Sequence, residues 1–403
     1  MNYNITADDK NWAGEIYQKL NVKIQAQCGR LGNTIPYIPK NGKYHDIDTG
    51  EGIYWWTNGF WAGLLWQMYN ASGNETFRKT AEEIEKRLDE ALFGFEGLHH
   101  DVGFLWLHTA AANYRLTCAA KAANAAKASG AVKTANVNTE AGEQSRRRAL
   151  HAANILAGRY NPAGKYIRAW NGDERAGWII IDTLMNLPLL YWASGETGDP
   201  RYLQIACFHA DTAMNMLLRP DGSCNHIAVL SPENGQFLEN PAGQGYASGS
   251  SWSRGQSWAV YGFALSFRHT NDEKYLTAAK NTAHYVISNF AHNDWLPVVD
   301  FRAPSSPVKF DSTAAMITAC GLLEIAEHSG DYEKSLYSGC AVKILRACAE
   351  KFADWNIDTD GIIGGGTAAY HGNSTDTEVP IIYGDYFFTE AVLRLLGKSF
   401  LIW

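Results

Sequence analysis

Apolar residues recur at three- and four-residue spacing near 10–29, 57–70, 75–92, 102–118, 145–158, 178–194, 200–217, 254–269, 272–288, 311–328, 332–350 and 383–397. That spacing lines one face of a helix, and twelve such segments leave little of the chain for sheet. The connectors "SGETGDP" (194–200), "HTNDEKY" (269–275) and "HSGDYEK" (328–334) resemble one another. In each, Gly and Asp end one helix and an acidic residue or Pro opens the next. They recur between paired helices at intervals of roughly 60–75 residues, a weak helix-pair repeat.

Longer Gly- and aromatic-rich loops lie at 31–56, 94–101, 159–177, 219–253, 290–310 and 358–380. Loops of this length in a compact chain are usually functional. Their placement after every second helix gathers them at one end of a helical toroid. The chain is expected to be all-α, with one catalytic domain over 1–403. Segment 117–144, rich in Ala, Lys and Asn without an apolar stripe, is expected to form an exposed, mobile excursion.

Charge excludes some partners. With 35 Lys and Arg against 42 Asp and Glu, the net charge of -7 offers no basic field for a nucleic acid backbone. No uninterrupted apolar stretch reaches the eighteen or so residues of a membrane span. The N-terminus carries acidic residues and helical periodicity where a secretory signal has a basic start and an apolar core, so a cytoplasmic protein is expected. The seven Cys are scattered and form no CxxC pair, which fits buried, reduced thiols rather than disulfides or a zinc site.

Two acids stand out. Asp101 in "LHHDVGFLWLHTA" (98–110) precedes an apolar helix that starts near Val102, and it is read either as an N-cap or as a functional carboxylate. Its neighbours His99 and His100 point different ways and no HxxxH follows, so no metal is expected. Asp182 in "GWIIIDTLMNLPLLYWASG" (177–195) lies between large apolar groups. Such a carboxylate must be paired, hydrogen-bonded or protonated. It either caps a helix beginning at Thr183 or carries the raised proton affinity that a general acid needs. If helices alternate in direction around a toroid, both acids stand at starts that open on the same end.

Trp55, Trp56, Trp61, Trp106, Trp170, Trp178, Trp252 and Trp258 cluster beside these helix starts. An aromatic in a polar, Gly-rich loop suits stacking on a sugar ring. His226 in "DGSCNHI" and Gln244 in "PAGQGYASGS" add neutral hydrogen-bonding groups. Arg254, set between rings in "GSSWSRGQSWAVYGF" (249–263), is read as facing an anionic ligand, with an ion pair to an internal Glu as the alternative.

The motifs "IYWWTNGFWAGLLW" (53–66), "HHDVGFLWL" (99–107), "NPAGKYIRAWN" (161–171), "GWIIIDTLMNLPLLYWA" (177–193) and "GQGYASGSSWSRGQSWAVYGF" (243–263) resemble, in order, the unsaturated glucuronyl hydrolases of glycoside hydrolase family 88. The likeness runs from about residue 12 to 395. It implies an (α/α)6 barrel and an enzyme that removes the unsaturated uronate left by polysaccharide lyases from disaccharides or short oligosaccharides, without a cofactor. It also implies Asp182 as general acid/base, Asp101 as the second carboxylate, and Trp56, Trp170, His226, Gln244, Trp252, Arg254 and Trp258 as substrate contacts. The choice between Trp55 and Trp56 is open. Unsaturated rhamnogalacturonyl hydrolases usually read "WARGNGW" where this chain reads "WSRGQSW", which favours the glucuronyl branch. The chain departs from the family in the length of 117–144. A noncatalytic binder of acidic oligosaccharides would use the same aromatics without needing Asp182. Members that prefer sulfated disaccharides show Ser-x-x-Ser-x-Lys where "HGNSTDTE" stands here, so a preference for unsulfated substrates is expected.

Overall fold

The computed structural model describes residues 3–128 and 139–403. Phe60–Ser72, Leu187–Thr197, Ser253–Thr270, Ser312–Glu327 and Ile382–Leu395 are buried on all sides along most of their length. So is Val102–Trp106 with its π-helical continuation Leu107–Ala111, which leads into Ala112–Ala128. A helix apolar all round has to be surrounded by protein. Glu75–Arg87, Pro200–Leu217 and Glu273–His292 instead bury one stripe; in the last, Tyr275, Ala279, Thr282, Val286 and Phe290 repeat at three or four residues. These, with Ala7–Leu31, Thr139–Ala157 and Asp331–Phe352, form an outer layer. Each inner helix packs on the next, and Ile382–Leu395 packs on Phe60–Ser72, which closes the ring. The fold is the expected α/α barrel.

The helix-pair turns share one chemistry. Gly198 adopts the left-handed conformation and Asp199 then caps the next helix by accepting from Arg201 N at 2.9 Å. Asn271 and Asp272 repeat this with Lys274 N at 3.1 Å, and Gly73 and Asn74 repeat it with Thr76 N at 3.0 Å. The connector at 328–334 departs, because Gly330 has no side chain to cap with.

Two expectations change. Segment 178–194 is not one helix: Trp178–Ile180 is a strand, Ile181–Met185 a 3-10 turn, and the helix starts at Leu187. Consecutive β-branched Ile residues favour extended backbone, and Pro188 suits the first helical turn. The strand pairs antiparallel with Ile227–Leu230, which pairs with Phe237–Glu239. Of the expected excursion, 117–128 continues a helix and another starts at Thr139, while 129–138 lies outside the described residues.

The barrel axis is filled by rings. Trp403 is fully buried, stacks on Phe387 at 5.8 Å, meets His108 at 4.6 Å and donates its indole N–H to Glu390 Oε2 at 2.9 Å. Arg115 holds the carbonyls of Leu401, Ile402 and Trp403. Large-to-small changes at such a site cost about 3–5 kcal/mol. Trp403→Ala should lower unfolding free energy by that order in a urea titration, with Trp403→Phe recovering much of it. A loss below about 1 kcal/mol would remove the tail from the core.

Candidate active site

Inner helices that run the same way open at one end of the barrel, and residues at all six starts meet there. Trp56 precedes the helix from Phe60, Asp101 the one from Val102 and Asp182 the one from Leu187. Trp252 precedes Ser253, Asp311 precedes Ser312, and Tyr383 lies in the first turn from Ile382.

Neither acid is a helix cap. The Asp101 side chain makes no capping bond, and Asp182 sits inside the 3-10 turn. Asn186 instead pins the two segments together: its Nδ2 donates to Asp101 Oδ1 at 3.2 Å and to the Asp182 carbonyl at 3.3 Å, and its Oδ1 accepts from Phe104 N at 2.8 Å. Gly103 permits that approach, since a Cβ there would lie 2.6 Å from Asn186 Cα. Asp182 Oδ1 is buried without a hydrogen-bond partner.

Their proton affinities diverge. Burial, followed by the Asp101 charge, pushes the Asp182 carboxyl well above the ordinary range. Burial works the same way on Asp101, but His100, His99 and Asn186 more than offset it and bring the group below its ordinary value. His99 Nδ1 lies 3.2 Å and His100 Nε2 3.4 Å from Asp101 Oδ2. Burial lowers His100 to about 3, and its Nδ1 meets Thr183 Oγ1 at 2.6 Å. The pair therefore comprises one acid that keeps its proton and one carboxylate that does not.

His99, His100 and Asp101 offer ligand atoms within 4.8 Å of one another. A nitrogen of each ring approaches a single oxygen of Asp101, and His99 Nδ1 also lies 3.5 Å from the Asp101 amide.

The other expected contacts fall around this pair. Ile181 N donates to His226 O at 3.0 Å, so the short sheet sets His226 beside Asp182. His226 Nδ1 accepts from Gln244 N at 3.0 Å, an approach that only a glycine at 243 allows, since a Cβ there would lie 2.0 Å from that nitrogen. Burial and the Arg254 charge lower His226 to about 3 and keep it neutral. Gln244 Nε2 donates to Ala368 O at 2.6 Å. Trp252 lies 4.3 Å from His226 and 4.6 Å from the Arg254 guanidinium. Trp170 lies 4.6 Å from His99. Trp56 packs on Tyr383 at 4.8 Å and on Phe104 at 5.3 Å, whereas Trp55 packs on Tyr37 at 5.3 Å.

Three expectations need correction. Arg254 takes the ion-pair alternative, with an Asp rather than a Glu: Nη1 meets Asp311 Oδ2 at 2.6 Å, Thr313 Oγ1 at 3.1 Å and Thr367 O at 2.7 Å, and Nη2 donates to Ala368 O. Its charge still reaches Asp182, where it favours the ionised form. Trp258, expected as a substrate contact, is 1% exposed between Phe104 at 5.5 Å and Phe387 at 5.7 Å, so it belongs to the packed floor. Trp61 and Trp106 are buried helix residues as well. The sequence reading missed Asn186, Tyr383 and Asp311; the signal for Asp311 was an acid directly before a buried helix, as at Asp101.

No protein-family model matches the chain. The unsaturated glucuronyl hydrolase of Bacillus sp. strain GL1 is 34% identical over 374 residues, which cover 91% of this chain and 92% of that protein. The solved structure of the unsaturated glucuronyl hydrolase of Bacillus sp. GL1 superposes with a TM-score of 0.83 at 33% identity, covering 94% of this chain and 95% of that one. A mutant of the Streptococcus agalactiae unsaturated glucuronyl hydrolase, complexed with dGlcA-GalNAc6S, superposes at 0.79 with 25% identity over 98% and 94% of the two chains. Identity at this level across nearly the whole length, with the same barrel, shows that this chain belongs to the unsaturated glucuronyl hydrolases.

Proposed function

We propose that this enzyme hydrates the C4=C5 bond of a non-reducing-end unsaturated glucuronyl residue, with Asp182 as proton donor and Asp101 as its charged partner. The observation that carries the proposal is Asp182 Oδ1, buried without a partner on a carboxyl whose proton affinity is raised, beside an Asp101 whose proton affinity is lowered. The substrate double bond is a vinyl ether. Protonation of C4 by Asp182 develops positive character at C5 and the ring oxygen, which Asp101 stabilises. Asp182, now ionised, takes a proton from water as that water adds to C5. The resulting hemiketal opens and rearranges, releasing a keto acid and the remaining sugar. No step calls for a cofactor. A binding protein would gain nothing from an acid kept protonated at this depth, so catalysis is favoured over simple capture.

In this reading Trp56, Trp170 and Trp252 frame the ring, with the Trp258 floor beneath, while His226 and Gln244 donate or accept along its edge. Arg254, fixed by Asp311, sets the positive end of the site. Among the described residues no helix is long and apolar enough to cross a membrane. All seven cysteines are free and five are buried, as suits a reducing compartment, and we place the reaction in the cytoplasm.

The loop 368–388 borders the site beyond the uronate: Tyr370 N donates to Gln244 O at 2.9 Å, and the Asp376 charge reaches Tyr37. Asp376 and Glu378 disfavour a sulfate there. Two cations touch this loop and both are already engaged: Lys309 Nζ donates to Tyr370 O at 2.7 Å, and Arg254 donates to Ala368 O while paired with Asp311. We infer a preference for unsulfated disaccharides.

Asp182→Asn should fold normally and lose turnover of an unsaturated glucuronyl disaccharide by on the order of 10²–10⁴-fold; activity near wild type would reject the assignment. The pH profile of kcat should be a bell, because activity is lost as pH falls and Asp101 takes up a proton, and again as pH rises and Asp182 gives one up. A profile governed by a single group would contradict the pair. With lyase-derived disaccharides that differ only in 6-sulfation, loss of double-bond absorbance should be faster for the unsulfated member. The reverse order would show that Lys309 or another group serves sulfate.

A further inference from the structure

The charge on Asp101 has a specific local source. His99 is buried, with Nδ1 3.2 Å from Asp101 Oδ2 and Nε2 3.5 Å from Glu51 Oε2. A neutral imidazole has one donor and one acceptor nitrogen, whereas an imidazolium has two donors. The Asp101 amide also lies 3.5 Å from Nδ1 and Nε2 has no hydrogen-bond partner, so what favours the charged ring is the negative charge set within 3.5 Å of both its nitrogens. Trp170 packs against the ring at 4.6 Å, a surface that also favours a cation. His100 makes the contrast: its Nδ1 meets a hydroxyl, one carboxylate lies near, and it stays neutral.

We propose that His99 is a positioning residue: clamped as a cation between Glu51 and Asp101, it fixes Asp101 in its charged form and so leaves the proton of the pair on Asp182. This rests on the roles proposed above for the two acids. The groups whose charges act on the clamp are Glu51 and Asp101, with Arg159 facing Asp101 and Arg254 facing Asp182, while His100 is neutral. Burial alone would lower His99, yet Asp101 and Glu51 raise it to about 9, which agrees with the geometry. The clamp gives the loop at 31–56 a role, since its Glu51, 42% exposed, brings a negative charge to His99 from the solvent side.

Taking away a positive charge raises the proton affinity of both nearby carboxyls. In His99→Gln both limbs of the kcat profile should therefore move to higher pH, the acid limb by about one unit or more. Near the wild-type acid limb kcat should fall about tenfold while KM changes less than threefold. Glu51→Gln, a surface change with little risk to folding, should move the profile the same way by less. An acid limb unmoved in both variants would reduce His99 to packing under Trp170. A second readout needs no turnover. With ¹³C-labelled histidine, the resonance lost in His99→Gln should stay in the imidazolium form through pH 8 in the wild-type protein and titrate at ordinary pH in Asp101→Asn. Titration at or below the ordinary value in the wild type would overturn the proposal. If wild-type enzyme fails to turn over unsaturated disaccharides, the functional reading falls, and this titration still decides the role of His99.

Discussion

The active end of this barrel depends on one unbalanced contact: two carboxyl groups from adjacent inner-helix starts, brought into one buried site and tied through Asn186. Two like charges at that depth cannot both persist, so one acid must keep its proton. Which one is decided by neighbours. Asp101 has two imidazoles and an amide; Asp182 Oδ1 has no partner. Gly103 matters because it lets Asn186 reach the Asp101 segment, and a side chain at 103 would separate the elements that hold the acids.

Three other buried acids show the same rule at different settings. Glu324 is buried more completely than Asp182, yet Arg394, His328 and Arg268 outweigh its burial and hold it well below the ordinary range. Asp385 is served chiefly by backbone N–H groups of Ile362 and Ile363 and by the Tyr44 hydroxyl, and burial lifts it to about 7. Asp311 accepts Arg254 directly and acts as a scaffold. Depth alone does not make a general acid. The combination of burial, no cation in direct contact and a charged twin singles out Asp182.

The barrel was legible because six helices apolar on all sides alternate with one-sided ones, a pattern written in local spacing. Asp101 and Asp182 were legible as charges set among large apolar residues. What stayed hidden depends on contacts between distant segments. Arg254 meets Asp311 across 57 positions, and nothing local distinguishes an arginine awaiting a ligand from one already paired. Glu51 and His99 lie on different loops, and the adjacent His99 and His100 look equivalent until their partners are known. The Ile run before Asp182 carried both apolar spacing and β-branching, and the second decided Trp178–Ile180. Trp258 was placed in a helix by its segment, 254–269, but the spacing there did not tell a ring facing a sugar from one turned into the core.

In the proposed reaction Asp182 delivers its proton to carbon rather than to a glycosidic oxygen. Turnover in D₂O, followed by ¹H NMR from the first minutes, tests this directly. One deuterium on a single face of C4 in the first-formed product is the expected result. A released uronate without deuterium at C4, or with label spread equally over both faces, would contradict enzymatic protonation by Asp182.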